Sequence, residues 1–148
     1  MSRQSLTVLA ALASTIIAGC GESPPELVDV EGTILLKGKP LEKVRVEFWP
    51  LNNGPQSSAL TDDQGRFVLM ASEGAEKGAI LGKHKVVLRD VSIVKVEFLG
   101  REGADVDMTK GEKPRIASMY TNVMKTPLET EITGEQRDLK FEVDPFTR

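Results

Sequence analysis

One cysteine, one histidine, one tryptophan and one tyrosine among 148 residues remove several kinds of chemistry at once. A single Cys forbids an internal disulfide. A single His forbids a His-based metal site or a pair of catalytic histidines. Aromatic residues make up only 5% of the chain. Charge of one sign is also missing: 19 Lys and Arg against 22 Asp and Glu give a formal net charge of −3. That balance leaves no basic footprint, so no nucleic-acid partner is expected. Long apolar runs are scarce as well. The one that stands out, Leu6 to Gly19, would reach roughly 21 Å as a helix, short of a bilayer core of about 30 Å. What remains is 40% hydrophobic and 28% charged, the profile of one globular domain.

The first twenty residues, MSRQSLTVLAALASTIIAGC, place Arg3 ahead of the apolar run and small residues after it. A charged start, an apolar stretch and a small-residue end make a signal peptide over residues 1–19 rather than a buried helix. The run has no polar face and no cap. Its end, Ile17-Ala18-Gly19-Cys20, resembles a bacterial lipobox. The resemblance implies cleavage before Cys20, diacylglycerol on its sulfur and acylation of the new amino group. Two or three acyl chains, at about 0.8 kcal/mol per buried methylene, anchor a protein where one chain would not. Membrane lipid is therefore the expected partner of Cys20. Position 21 is Gly and not Asp, which under the sorting rule of enterobacterial lipoproteins favours the outer membrane. Residues 20–26 read as a lipidated Cys and tether, stiffened by Pro24 and Pro25.

From Leu27 onward the hydrophobic period is mostly two. Val28, Val30, Ile34 and Leu36 share one face, with Gly32 marking a bulge or a close backbone approach. Lys37-Gly38-Lys39-Pro40 is a turn, and Val44, Val46 and Phe48 then alternate with Arg45, Glu47 and Trp49. Ser57 to Thr61 is a short strand. Asp62-Asp63-Gln64-Gly65 is a tight turn, and Phe67 and Leu69 point inward after it. Residues 83–89 form a strand with His84, Val86 and Leu88 on one face, and Val91 to Leu99 is a further β-rich run. Residues 100–114 are polar, with three glycines and a proline, and read as a long loop or insert. Leu128, Thr130 and Ile132, then Leu139, Phe141 and Val143, supply the last inward rows. The fold class expected is all-β, an antiparallel β-sandwich of about seven strands over residues 27–148, with a variable insert near 90–114.

The order of these residues is similar to the carboxypeptidase regulatory-like domain. Val30-Glu31-Gly32-Thr33, Lys37-Gly38-Lys39-Pro40-Leu41 and Thr61-Asp62-Asp63-Gln64-Gly65-Arg66-Phe67 carry the likeness. Gly82-Lys83-His84-Lys85-Val86 resembles the next strand of that family, with His84 where the pattern has Tyr. Tyr120, Thr126-Pro127-Leu128 and Leu139-Lys140-Phe141 resemble the closing part of small lipoproteins of the same family. The resemblance implies a transthyretin-like β-sandwich. In zinc carboxypeptidases that domain is an accessory, so it brings no protease activity with it. Related transthyretin-like hydrolases use several His and Arg residues and a Tyr-Arg-Gly-Ser motif, which this sequence does not contain.

Three places invite a site. His84 is the one side chain suited to acid–base work, and as a lone inward His it reads as a packed residue; a small enzyme or a small-molecule carrier built around it is the alternative. Asp105 and Asp107, with Glu102, lack the remaining spacing of a Ca²⁺ loop. Trp49 points away from the Val44, Val46 and Phe48 face, where it would stack on a sugar ring, fill a partner's pocket or cover the sandwich edge. No cofactor, no metal and no catalytic set is expected. The expected protein is a non-catalytic, lipid-anchored cell-envelope module with an envelope protein or glycan as partner.

Overall fold

A computed structural model describes residues 25–71, 75–93 and 113–147. Residues 1–24, including Cys20, lie outside the described residues, as do Val94 to Leu99, Asp105, Asp107 and the rest of 94–112.

The chain is all-β. Its strands are β1 (Leu27–Val28), β2 (Val30–Leu36), β3 (Lys39–Pro40), β4 (Val44–Pro50), β5 (Ser57–Leu60), β6 (Arg66–Val68), β7 (Met70–Ala71), β8 (Glu76–Lys77), β9 (Ala79–Ile80), β10 (Gly82–Asp90), β11 (Glu129–Ile132) and β12 (Gln136–Val143). Among the described residues one short 3₁₀-helix, Ser118–Thr121, interrupts them. The larger sheet runs β11-β10-β4-β5-β7-β8. The smaller runs β12-β2-β3, with β6 also paired to β2, and β1 pairs with β9 apart from both.

The inward rows come from the period-two pattern. Val44, Val46 and Phe48 on β4, with Val86 and Leu88 on β10, are fully buried from the larger sheet. Val30 and Ile34 on β2, Phe67 on β6 and Phe141 and Val143 on β12 meet them from the smaller one. Phe48 is the centre. Its ring lies 6.1 Å from Phe67, 6.0 Å from Phe141 and 5.8 Å from His84, centroid to centroid, so it touches both layers. Those tilted and edge-on arrangements suit the ring quadrupoles.

Turn chemistry fixes the registers. Lys37 and Gly38 both have positive φ, 50° and 75°, and Leu36 pairs with Lys39 across them. That is the two-residue hairpin geometry whose twist matches the strands, and Gly38 carries the second position without strain. At the second turn the Asp62 carboxylate accepts the Gln64 and Arg66 N–H groups at 2.9 and 2.8 Å. Backbone hydrogen bonding from Arg66 holds the Asp62 carboxyl below its ordinary range. Gly32 serves space and not φ. A Cβ there would stand 2.6 Å from both the Leu139 carbonyl and the Phe67 ring. The neighbouring β12 shifts register between Gln136 and Leu139, beside the same spot.

Three expectations need correction. The sandwich is not wholly antiparallel: β12 runs parallel to β2, from Gln136 opposite Val30 to Val143 opposite Leu36. The chain between them is long enough to supply the crossover that a parallel pair requires. About seven strands also becomes twelve segments among the described residues, because the chain changes sheets inside single apolar runs. Arg66–Val68 pairs with the smaller sheet and Met70–Ala71 with the larger, so Leu69 is the corner. Gly82, at φ 120°, opens β10 after Ala79 and Ile80 have paired with β1. Finally, Val91 does not begin a strand. β10 ends at Asp90, and residues 91–93 are irregular.

Candidate functional site

The outward face of the larger sheet brings together residues far apart in sequence. In the β4–β10 register Trp49 stands opposite Lys85, Glu47 opposite Val87 and Arg45 opposite Arg89. These side chains point away from the core by strand alternation. Two of them are nevertheless buried: Val87 is fully covered and Glu47 is 7% exposed. The cover is the segment that follows residue 113. Its 3₁₀-helix packs on β10, and Thr121, Asn122 and Val123 form one wall of a groove whose other lining residues are Trp49, Val87 and Arg89. The groove holds about 220 Å³.

The wall is pinned at both ends. Tyr120 is buried, and its hydroxyl donates to the Asp144 carboxylate at 3.1 Å and accepts the Asp144 N–H at 3.1 Å. Burial pushes the Tyr120 phenol above its ordinary value. Ala117 donates its N–H to the Asp144 carbonyl at 3.0 Å. Further on, the Asn122 side-chain oxygen accepts the Met124 N–H at 2.8 Å. The Thr126 hydroxyl donates to the Val86 carbonyl at 2.7 Å and so ties the wall to β10.

Behind two of the groove's lining residues, one carboxylate orients both side chains. Glu47 accepts the Trp49 indole N–H at 3.1 Å through one oxygen and the Arg89 Nε–H at 2.9 Å through the other. The indole is thereby held in place on a residue that is 36% exposed. Arg89 remains half exposed. Lys85, on the same face, is paired with Glu129 on β11.

A second polar centre holds the base of the wall. The Asp90 side chain is 1% exposed. It accepts the Arg115 N–H, Nε–H and Nη2–H at 2.8, 2.9 and 2.8 Å, and the Ser92 hydroxyl at 2.6 Å. Burial alone would raise this carboxyl. The hydrogen bonds and the charge of Arg115 outweigh it and hold the pKa at about 2. Arg115 also donates to the Glu42 carbonyl at 2.7 Å, which joins the approach to β4, the end of β10 and the start of the wall.

Of the residues singled out in the sequence, Trp49 lies in this groove and His84 does not. His84 is 1% exposed, on the inward face of β10, against the Phe48 ring. Its Nδ1–H donates to the Gly82 carbonyl at 3.0 Å. Burial lowers its pKa, and that hydrogen bond only partly offsets the effect. The unfolded chain, near 6.5, therefore takes up a proton first. Stability contributed by neutral His84 is present above pH 6.5 and is lost as the pH falls below it. Urea midpoints between pH 7.5 and 5 should show that decline in the native chain, and His84→Leu should lack this component.

Sequence reasoning missed Glu47, Arg89, Asn122, Asp90 and Arg115 as members of these clusters. The one available signal was that Glu47 and Trp49 share a strand face. Their pairing with Arg89 depends on a register that no local pattern shows. Among the described residues, no group of three or more His, Cys, Asp or Glu side chains is placed to hold a metal ion. No helix among them is long and apolar enough to cross a membrane. No family model, no curated protein and no solved structure matches the chain.

Proposed function

We propose that this protein is a non-catalytic lipoprotein of the bacterial cell envelope, anchored through acylated Cys20, whose sandwich is a carboxypeptidase regulatory-like, transthyretin-like module. The observation that carries the reading is Ile17-Ala18-Gly19-Cys20, where the one Cys of the chain closes its one long apolar run. The β-rich part begins at Leu27, directly after a Pro-Pro tether, which suits a domain held a few residues from a lipid surface. The outer membrane is the favoured site because Gly occupies position 21. The module's task is to bind an envelope partner, protein or glycan, and the pinned groove beside Trp49 gives it a surface for doing so.

The anchoring claim is tested by metabolic labelling. Labelled palmitate should enter the native chain, and the labelled protein should stay with the membrane through an alkaline carbonate wash. Cys20→Ala should abolish the label entirely, because no other thiol is present to carry it. A native chain that takes up no label would sink the proposal.

A further inference from the structure

We infer that the Trp49 groove binds a sugar ring bearing a carboxylate. The inference rests on the envelope-binding reading above and names the ligand class for that surface. The groove's size is the first reason. At about 220 Å³ it is smaller than the clefts that take drug-sized molecules, and it has room for one ring. Its lining is the second. Trp49, Val87 and Val123 are apolar, whereas Arg89, Thr121 and Asn122 are polar. A hexose has the same division, with an apolar face of C–H groups and a rim of hydroxyls. An indole offers that face a flat, rigid partner at little conformational cost.

Charge supplies the third reason. Arg45 and Arg89 are directly opposite one another across β4 and β10. Like charges in that relation are unfavourable unless an anion lies between them. Glu47 engages Arg89 only through Nε. Its single charge faces two guanidinium groups, and Lys85 is already neutralised by Glu129. Among the described residues, no carboxylate is paired with Arg45 or with the Nη groups of Arg89, and Arg89 lines the groove. A ligand carboxylate meets the Nη groups of Arg89 in the planar geometry that guanidinium favours. Glu47 is then a positioning residue. It fixes the indole and the guanidinium from behind, so that ring and carboxylate are met at a set spacing.

The chain's one Trp reports on the groove directly. Detergent-solubilised full-length protein is titrated with tetragalacturonate, and with the matched neutral galactose oligomer, while Trp emission is followed. Tetragalacturonate should give a saturable shift at an affinity about tenfold or more above that of the neutral oligomer. The difference should narrow as salt rises. Arg89→Gln should remove the preference for the acidic sugar. Because Glu47 then loses its counter-charge the midpoint falls, and the titration is run well below the variant's own thermal midpoint so that lost binding is not lost folding. Trp49→Leu, followed by calorimetry, should lose binding of both sugars. Equal affinity for the neutral oligomer overturns the proposal, as does an equal shift with tetraglutamate, which would mark the groove as a site for acidic peptide. Palmitate labelling does not involve the groove, so failure here leaves the anchoring claim standing, and failure there leaves the sugar titration valid.

Discussion

Arg115→Leu should cost about 3–5 kcal/mol of folding free energy at pH 7, because it leaves a buried carboxylate without its counter-charge. The Asp90 side chain is 1% exposed, and three of its hydrogen bonds come from Arg115, two of them through the guanidinium. The Ser92 contacts and the Arg115 backbone N–H survive the substitution. They stabilise the anion without cancelling its charge. Removal of the guanidinium should therefore let burial raise the Asp90 pKa.

The pH dependence separates this cause from simple loss of packing. In the native chain Asp90 is held at about 2 against an unfolded value of 3.8. A carboxyl depressed on folding contributes stability above its unfolded value and loses it as the pH falls toward its folded value. The contribution, about 2 kcal/mol, is present at pH 5 and lost between pH 3.8 and 2. In Arg115→Leu the folded pKa rises from about 2, so protonation costs the variant less stability than it costs the native chain. The gap between variant and native chain should shrink steadily as the pH drops below 4. Urea midpoints at pH 7, 5, 4 and 3 measure it. A gap that stays constant across that range would mean lost packing and not a stranded charge. The double replacement Asp90→Leu with Arg115→Leu should recover most of the loss, since a buried ion pair exchanged for apolar side chains is often close to neutral. The same centre fixes the start of the groove wall, so Arg115→Leu should also weaken ligand binding without touching the groove itself.

How far these features can be read in the sequence depends on their range. Alternation is local, and the inward rows Val44-Val46-Phe48, Val86-Leu88 and Phe141-Val143 were legible from it. So were the turns at Lys37-Gly38 and Asp62-Gly65, whose side chains and φ values answer to neighbours a few residues away. Gly32 was legible as a close approach but not as an approach to Leu139, because that partner arrives from 107 positions later in a parallel pairing. Val87 and Glu47 sit at outward positions yet are buried, and alternation misassigns such residues whenever a later segment folds over the sheet. Asp90 and Arg115 are 25 residues apart, and no local pattern links the two ends of so long a stretch. Trp49 was legible as outward and exposed; the clamp that orients it was not.

Phe48→Ala should be as damaging as the loss of Arg115, by a different route. Phe48 has no exposed surface, and it is the ring through which the larger sheet meets Phe67 and Phe141 of the smaller one. Truncation removes the transfer energy of the ring and leaves a cavity between two sheets that relax only in part, for a total of about 3–5 kcal/mol. A domain of this size should then melt roughly 10–20 °C lower. Unlike the Arg115 effect, this loss should persist from pH 7 to pH 3, because no charge is stranded. Trp49→Leu, one position along the same strand, provides the contrast. Its ring faces outward and is partly exposed, so its removal should move the midpoint little while sugar binding disappears. Adjacent residues on β4 then separate the two tasks of the strand, with Phe48 closing the core and Trp49 presenting the ligand surface. A Trp49 variant that melted as early as Phe48→Ala would assign Trp49 to the fold and leave the groove without its platform.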